Sequence, residues 1–295
     1  MAWNRTRLVA ASLGVAMGFA AAPSALGEVP LIPRSVLFGN PDKASPQLSP
    51  DGTQLAFLAP VNGVMNVWVG PASDPAAAKA VTADKKRGIR QYFWAYNNKD
   101  LLYMQDFDGD ENNHIYRVDV KSGETKDLTP IKGVKAVVDE VSEKFPNEIV
   151  AGLNDRNPQF HDLYRIDLAS GERKLLQKND GFLGFVVDDD FKVRFAVRMN
   201  MGTGGMEVFK QDEAGKQTPY ETIPMEDSQT TTILGFSKDN QSIRMMDSRK
   251  RDTAAMFERN LASGETKMIA EDARTDVGGV MVHPTEKTIQ AVSFN

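Results

Sequence analysis

The sequence predicts an all-β chain, a β-propeller of four-stranded blades with five complete blades and the start of a sixth. Three observations carry this expectation. A Ser-Gly-Glu turn recurs at 122–124, 170–172 and 263–265 inside the matching stretches HIYRVDVKSGETKDL, DLYRIDLASGERKLL and AMFERNLASGETKMI. A second polar turn recurs at Asp51, Asn98, Phe145, Asp190, Asp239 and Thr285, at successive separations of 47, 47, 45, 49 and 46 residues. Between these turns the residues alternate with period two, as in Ile115–Val120, and no convincing helical period of twelve or more residues follows residue 30. Self-similarity at 20–50 residues marks a repeat architecture, and four short strands per period mark a propeller.

The elements follow in order. Residues 1–27 read as a secretory signal peptide: Arg5 and Arg7, then the apolar run Leu8–Ala22, then Ala25-Leu26-Gly27 with small residues at the cleavage position. An uncleaved anchor is the rival reading, but fifteen apolar residues ending at Pro23 fall short of the roughly 20 that a spanning helix needs. The leader looks bacterial, so the expected destination is the periplasm or the medium, with no membrane span after cleavage. Residues 28–44 form a lead-in. The propeller repeats then occupy about 45–82, 90–129, 137–177, 182–223, 231–270 and 277–295. The fourth repeat carries a degenerate copy of the Ser-Gly-Glu turn at Ala214-Gly215-Lys216. Gly, Asn and Asp supply the positive φ that tight connections need. The last repeat stops inside a strand at Phe294-Asn295. A propeller whose last blade does not meet its first leaves sheet edges and apolar faces exposed, so the sequence is expected to be a fragment of a longer protein.

The SPDG-x-x-L-A-F pattern at Ser49–Phe57 resembles the repeat shared by the Tol-system periplasmic propeller protein, the tricorn protease and the N-terminal propellers of prolyl oligopeptidase family serine peptidases. Two further stretches favour the peptidases: Ile32–Phe38, which leads straight into the first repeat, and DFDGDENNHIY at Asp106–Tyr116. Both look like exported dipeptidyl-peptidase and acylaminoacyl-peptidase relatives. The resemblance covers residues 31–295 but only the propeller half of such an enzyme. It implies a following α/β-hydrolase domain with a G-x-S-x-G nucleophile elbow, and that motif occurs nowhere in the 295 residues. The expectation is therefore a gating propeller of a secreted peptidase acting on peptides, inactive by itself and without catalytic residues. The alternative is a stand-alone periplasmic propeller that binds a protein or ligand, as the Tol-system protein does. That relative carries a domain before its propeller for which this sequence has no room.

Composition excludes several other classes. The formal charge of −5 argues against a nucleic-acid face. The absence of cysteine removes disulfides, thiolate chemistry and thiolate metal sites, and His114, His161 and His283 form no zinc-binding pair. No cofactor and no metal are expected. Asp106, Asp108 and Asp110 have calcium-loop spacing, but that loop needs Gly where Glu111 stands and Glu where Arg117 stands, so an acidic inter-strand turn is the better reading. The resemblance adds a functional candidate here: Asp110 and Glu111 as an acidic pair binding a substrate's N-terminal ammonium. Gly202-Thr203-Gly204-Gly205 lies between strand-like runs and reads as a hairpin loop, because a phosphate loop must open a helix. His283-Pro284 reads as the repeated polar turn. Trp68, Trp94, Phe93 and Tyr96 read as strand aromatics packing blade on blade. Asp188-Asp189-Asp190 reads as a solvated turn, and Lys85-Lys86-Arg87 as a basic loop between blades.

Overall fold

The computed structural model describes residues 31–295, so the leader at 1–27 lies outside the described residues. The chain divides into a unit ending at Gly39, which contains the five-residue helix α1 (Arg34–Phe38), and a unit spanning Asn40–Asn295.

The second unit is a β-propeller of antiparallel sheets in simple meander order. The first sheet holds β1 (Ala44–Leu48), β2 (Gln54–Val61), β3 (Val64–Pro71) and β4 (Lys79–Ala80). The second holds β5 (Tyr92–Trp94), β6 (Asp100–Gln105), β7 (His114–Asp119) and β8 (Thr125–Asp127). The third holds β9 (Ala136–Val141), β10 (Glu148–Asn157), β11 (Phe160–Asp167) and β12 (Arg173–Gln177). The fourth holds β13 (Gly184–Val187), β14 (Val193–Met199), β15 (Met206–Gln211) and β16 (Gln217–Ile223). The fifth holds β17 (Thr232–Phe236), β18 (Ser242–Asp247), β19 (Ala255–Asn260) and β20 (Thr266–Ala270). A two-stranded sheet, β21 (Val277–Val282) and β22 (Ile289–Phe294), follows.

The core lies between successive sheets. Leu102, Ile115 and Leu128 of the second sheet meet Ala136, Ile149 and Ile166 of the third. Ala56, Leu58 and Val67 of the first meet Tyr92, Trp94 and Leu101 of the second. Phe195 and Val208 of the fourth meet Phe236, Ile243 and Met245 of the fifth. The second, third and fourth sheets thus have a neighbour packed on each face, and β10 in the third is buried without a break from Ile149 through Leu153. Fully burying one such Leu or Ile is worth about 1.5–3 kcal/mol.

The repeated polar turn joins the first and second strands of each sheet, and its geometry explains its residues. Gly52, Asn98 and Asn240 occupy left-handed backbone, with φ of 71°, 60° and 57°. The fourth sheet puts Phe191 there, at φ 58°. That residue is held by burial and by its ring, which stacks on Phe145 with centroids 4.8 Å apart.

Two sequence readings change here. Asp188-Asp189-Asp190 is not a solvated turn: Asp188 and Asp189 are buried, and each of the three carboxylates has a cation. Asp188 Oδ2 lies 2.8 Å from Arg194, Asp189 Oδ1 lies 3.0 Å from Lys287, and Asp190 Oδ1 lies 2.7 Å from Lys144. Asp189 and Asp190 make a junction between sheets through partners distant in sequence, and Asp188 is neutralised by Arg194 of its own sheet. Tyr96 sits in the turn after β5 rather than on the strand, and its hydroxyl donates to Pro284 O at 2.8 Å. Trp94 packs between the first two sheets, and 200–205 is the hairpin loop between β14 and β15.

Candidate functional site

The last register pair of β6 and β7 is Gln105 with His114, so residues 106–113 form a loop with no ladder to hold it. The loop is shaped by its own polar side chains and by three left-handed residues, Asp108 (φ 51°), Gly109 (φ 90°) and Glu111 (φ 60°). Gly109 suits its position because it enters left-handed backbone without strain. Asp and Gly enter this region readily, but Glu does so at a cost.

What holds Glu111 in place is visible. Its backbone N–H donates to Asp106 Oδ2 at 3.2 Å, and Asp106 is fixed by Arg87 Nε at 3.1 Å from its other oxygen. Asp110 Oδ1 accepts from the backbone N–H groups of Phe107 at 3.2 Å and Asn112 at 3.1 Å. The Asn112 N–H holds the Asp110 carboxyl below its usual range. Asp108 reaches Lys86 at 3.0 Å. The three aspartates of the calcium-like spacing therefore turn to three different partners. Among the described residues no group of three or more His, Asp or Glu side chains could hold a metal ion.

Beside the loop is a cleft of about 510 Å³. Glu111 and Asp106 line it together with Arg87, Arg90 and Lys135. Asp110 is exposed and does not line it. The two acids singled out in the sequence are thus neighbours with different surroundings: Glu111 faces the cleft, and Asp110 braces the loop. The cations were not singled out. Lys85-Lys86-Arg87 was legible as a basic loop, but Arg90 and Lys135 come from the connections before β5 and before β9, with no local signal. Arg90 and Lys135 have no acidic partner within ion-pair distance among the described residues, which leaves them available to carbonyl or carboxylate oxygens. None of the lining residues is a serine, threonine, cysteine or histidine. This cleft can bind and orient a small molecule carrying both charge signs.

Fold and cleft together place the chain in one class: a propeller of four-stranded blades with a charged cleft beside a blade loop. The relatives make the class more specific. No family model matches the chain. Dipeptidyl aminopeptidase BIII of Pseudoxanthomonas mexicana is 46% identical over 279 residues, covering 93% of this chain and 40% of that protein. Acylaminoacyl peptidase of Pyrococcus horikoshii superposes with a TM-score of 0.54 at 16% identity, over 82% of this chain and 40% of that one. The β-propeller domain of the trilobed protease of Pyrococcus furiosus gives 0.53 at 16% identity, over 81% of this chain and 74% of that domain. The two structures establish the fold. The chain is a homologue of dipeptidyl aminopeptidase BIII and a peptidase-related β-propeller, spanning about 40% of the length of that relative.

Proposed function

We propose that this chain is the substrate-access and substrate-orienting propeller of an exported serine peptidase that removes short units from the N-terminus of peptides. Hydrolysis would be performed by an α/β-hydrolase domain carried elsewhere on the full-length protein. The observation that carries the reading is the 46% identity to a dipeptidyl aminopeptidase over 93% of the chain. The geometry of residues 106–113 supports it. Glu111 sits in strained backbone on the wall of a cleft, and strain of this kind clusters at functional sites. An α-ammonium on Glu111, with peptide oxygens on Arg90 and Lys135, would set the register of a chain whose scissile bond lies a fixed distance away. Asp110 serves as the brace that keeps Glu111 presented. Export is supported by the basic, apolar and small-residue succession of residues 1–27.

The test uses the full-length gene product and a dipeptidyl chromogenic amide, with the N-acetylated form of the same substrate as the comparison. The free-amine substrate should be cleaved at least 100-fold more efficiently than the acetylated one, and inhibition by a serine-directed fluorophosphonate should be complete. Equal efficiency would remove the aminopeptidase reading. A gene product that ends near residue 295 and has no peptidase activity would instead support a stand-alone binding propeller.

A further inference from the structure

A second cavity, about 360 Å³, lies away from the 106–113 loop. The first strands of four successive sheets contribute to its wall: Glu140 from β9, Val187 from β13, Phe236 from β17 and Val280 from β21. Met246 and Met256 extend the apolar part. Its volume falls at the small end of the range of small-molecule sites, which are apolar hollows with a few placed polar groups.

The polar groups are unevenly satisfied. Lys287 and Asp189 pair at 3.0 Å, with only 14% and 9% of their side chains exposed, so they neutralise each other. Arg244 also lines the cavity, and its side chain is 8% exposed. Its Nη1 donates to Phe236 O at 2.9 Å, but its Nε is buried without a hydrogen-bond partner. The nearest carboxylate, Glu258, stands 3.9 Å from that nitrogen, beyond hydrogen-bonding distance. A buried guanidinium offers a fork of donors, and leaving it under-used is costly unless something else accepts from it. An apolar hollow with a buried arginine that is only loosely ion-paired, its Nε without a hydrogen-bond acceptor, is matched in shape and charge by a carboxylate attached to an apolar group.

We propose that this cavity binds the terminal carboxylate of a small apolar ligand, the C-terminal aliphatic residue of a short peptide or an N-acyl amino acid, with Arg244 as the carboxylate's partner. The side chain would lie against Phe236, Met246, Met256 and Val280. Glu140 adds a condition. Burial pushes its carboxyl up to about 7. The titratable groups that face it are Asp139 on its own strand, Asp189 from the turn after β13, Lys287 from the turn after β21 and Tyr96 from the turn after β5. Ionised Glu140 adds a negative charge beside the anion, so the ligand binds more tightly as pH falls through that value.

The site does not depend on the peptidase reading, because its readout is binding and not turnover. The experiment is calorimetric titration of the purified chain with N-acetyl-L-leucine, N-acetyl-L-leucinamide and the dipeptide Gly-Leu. At pH 6 the acid should bind saturably and at least tenfold more tightly than the amide, which keeps the shape and lacks the charge. Raising the pH to 8 should weaken the acid at least threefold. R244M should lose the preference for acid over amide, with circular dichroism reporting the fold. Gly-Leu binding more tightly than N-acetyl-leucine names the peptide C-terminus as the source, and the reverse names the acyl amino acid. Equal binding of acid and amide to the unaltered chain, or no saturable binding of either, overturns the proposal without recourse to a variant.

Discussion

The turns that join the first and second strands of each sheet, and the loop that joins β6 to β7, draw on the same residue types and spend them differently. In the turns, polar groups reach from one sheet to another. Asn98 Oδ1 accepts from Asp51 N at 2.9 Å, Asn97 Nδ2 donates to Asn147 at 3.1 Å, and Asn240 Nδ2 donates to Asp190 at 3.1 Å. Ser142 Oγ donates to Asp189 O at 2.6 Å. In the loop at 106–113, the polar groups mostly close on the loop itself or on its neighbour at Lys86 and Arg87, and Glu111 is left facing a cleft. One region spends its polar residues on joining repeats, and the other spends them on presenting a charge.

The comparison can be broken most severely at Asp188, which braces the turn that carries Asp189 and Asp190 to their partners in neighbouring sheets. Its buried carboxylate accepts from the backbone N–H groups of Asp190 and Lys192, both at 3.0 Å, and from Arg194 at 2.8 Å. Asp188→Ala strands all three donors and should cost about 2–4 kcal/mol in denaturant unfolding. The matching change in the loop, Asp108→Asn, removes an exposed pair, keeps a residue that tolerates the left-handed backbone at φ 51°, and should stay within about 0.5 kcal/mol. Comparable losses at the two positions would erase the distinction.

The pH dependence is the next effect in size. Burial lifts the Glu140 carboxyl from its ordinary 4.5 to about 7. An acid raised by folding contributes its full stabilisation below its unfolded value and loses it as pH rises through its folded value. The chain should therefore lose roughly 1–3 kcal/mol between pH about 4.5 and about 7, and Glu140→Gln should flatten the part of that slope nearest pH 7. Melting curves at five pH values check this.

Smaller again is the effect of Asn98. Asn98→Ala forfeits both the tie to Asp51 and tolerance of left-handed backbone, at a cost of about 1–2 kcal/mol. Asn98→Gly restores the backbone freedom and should recover part of it. If the glycine variant proves no better than alanine, the tie alone sets the requirement.

Much of this was legible in the sequence, for a physical reason. Turn residues with left-handed backbone, Gly52, Asn98 and Asn240, are chosen by local geometry, so they recur at the period of the fold and reveal it. The burial of Asp189 was not legible, because a distant partner decides it. Lys287 lies about two periods away from Asp189 and looks like any turn lysine. One signal was available: equivalent turns in successive repeats must be neighbours in space, and the ties from Asp51 to Asn98 and from Asn97 to Asn147 follow that rule. Within the candidate site, Glu111 was legible by resemblance, but its difference from Asp110 was not. Adjacent residues in a loop diverge through φ, and Glu111 is the one driven to the left-handed region. Arg244 gave no signal, since an arginine inside the alternating run of β18 reads as an outward residue until the sheets are stacked.

The central claim is that Glu111 reads a substrate's amino terminus from a loop whose own polar groups hold it in place. Glu111→Gln in the full-length protein, assayed on a free-amine dipeptidyl amide and its acetylated form, tests this most directly. The account predicts a KM at least tenfold higher for the free amine, little change for the acetylated form, and a melting temperature within about 2 °C of the unaltered protein. An unchanged KM for the free amine, with the fold intact, would contradict it.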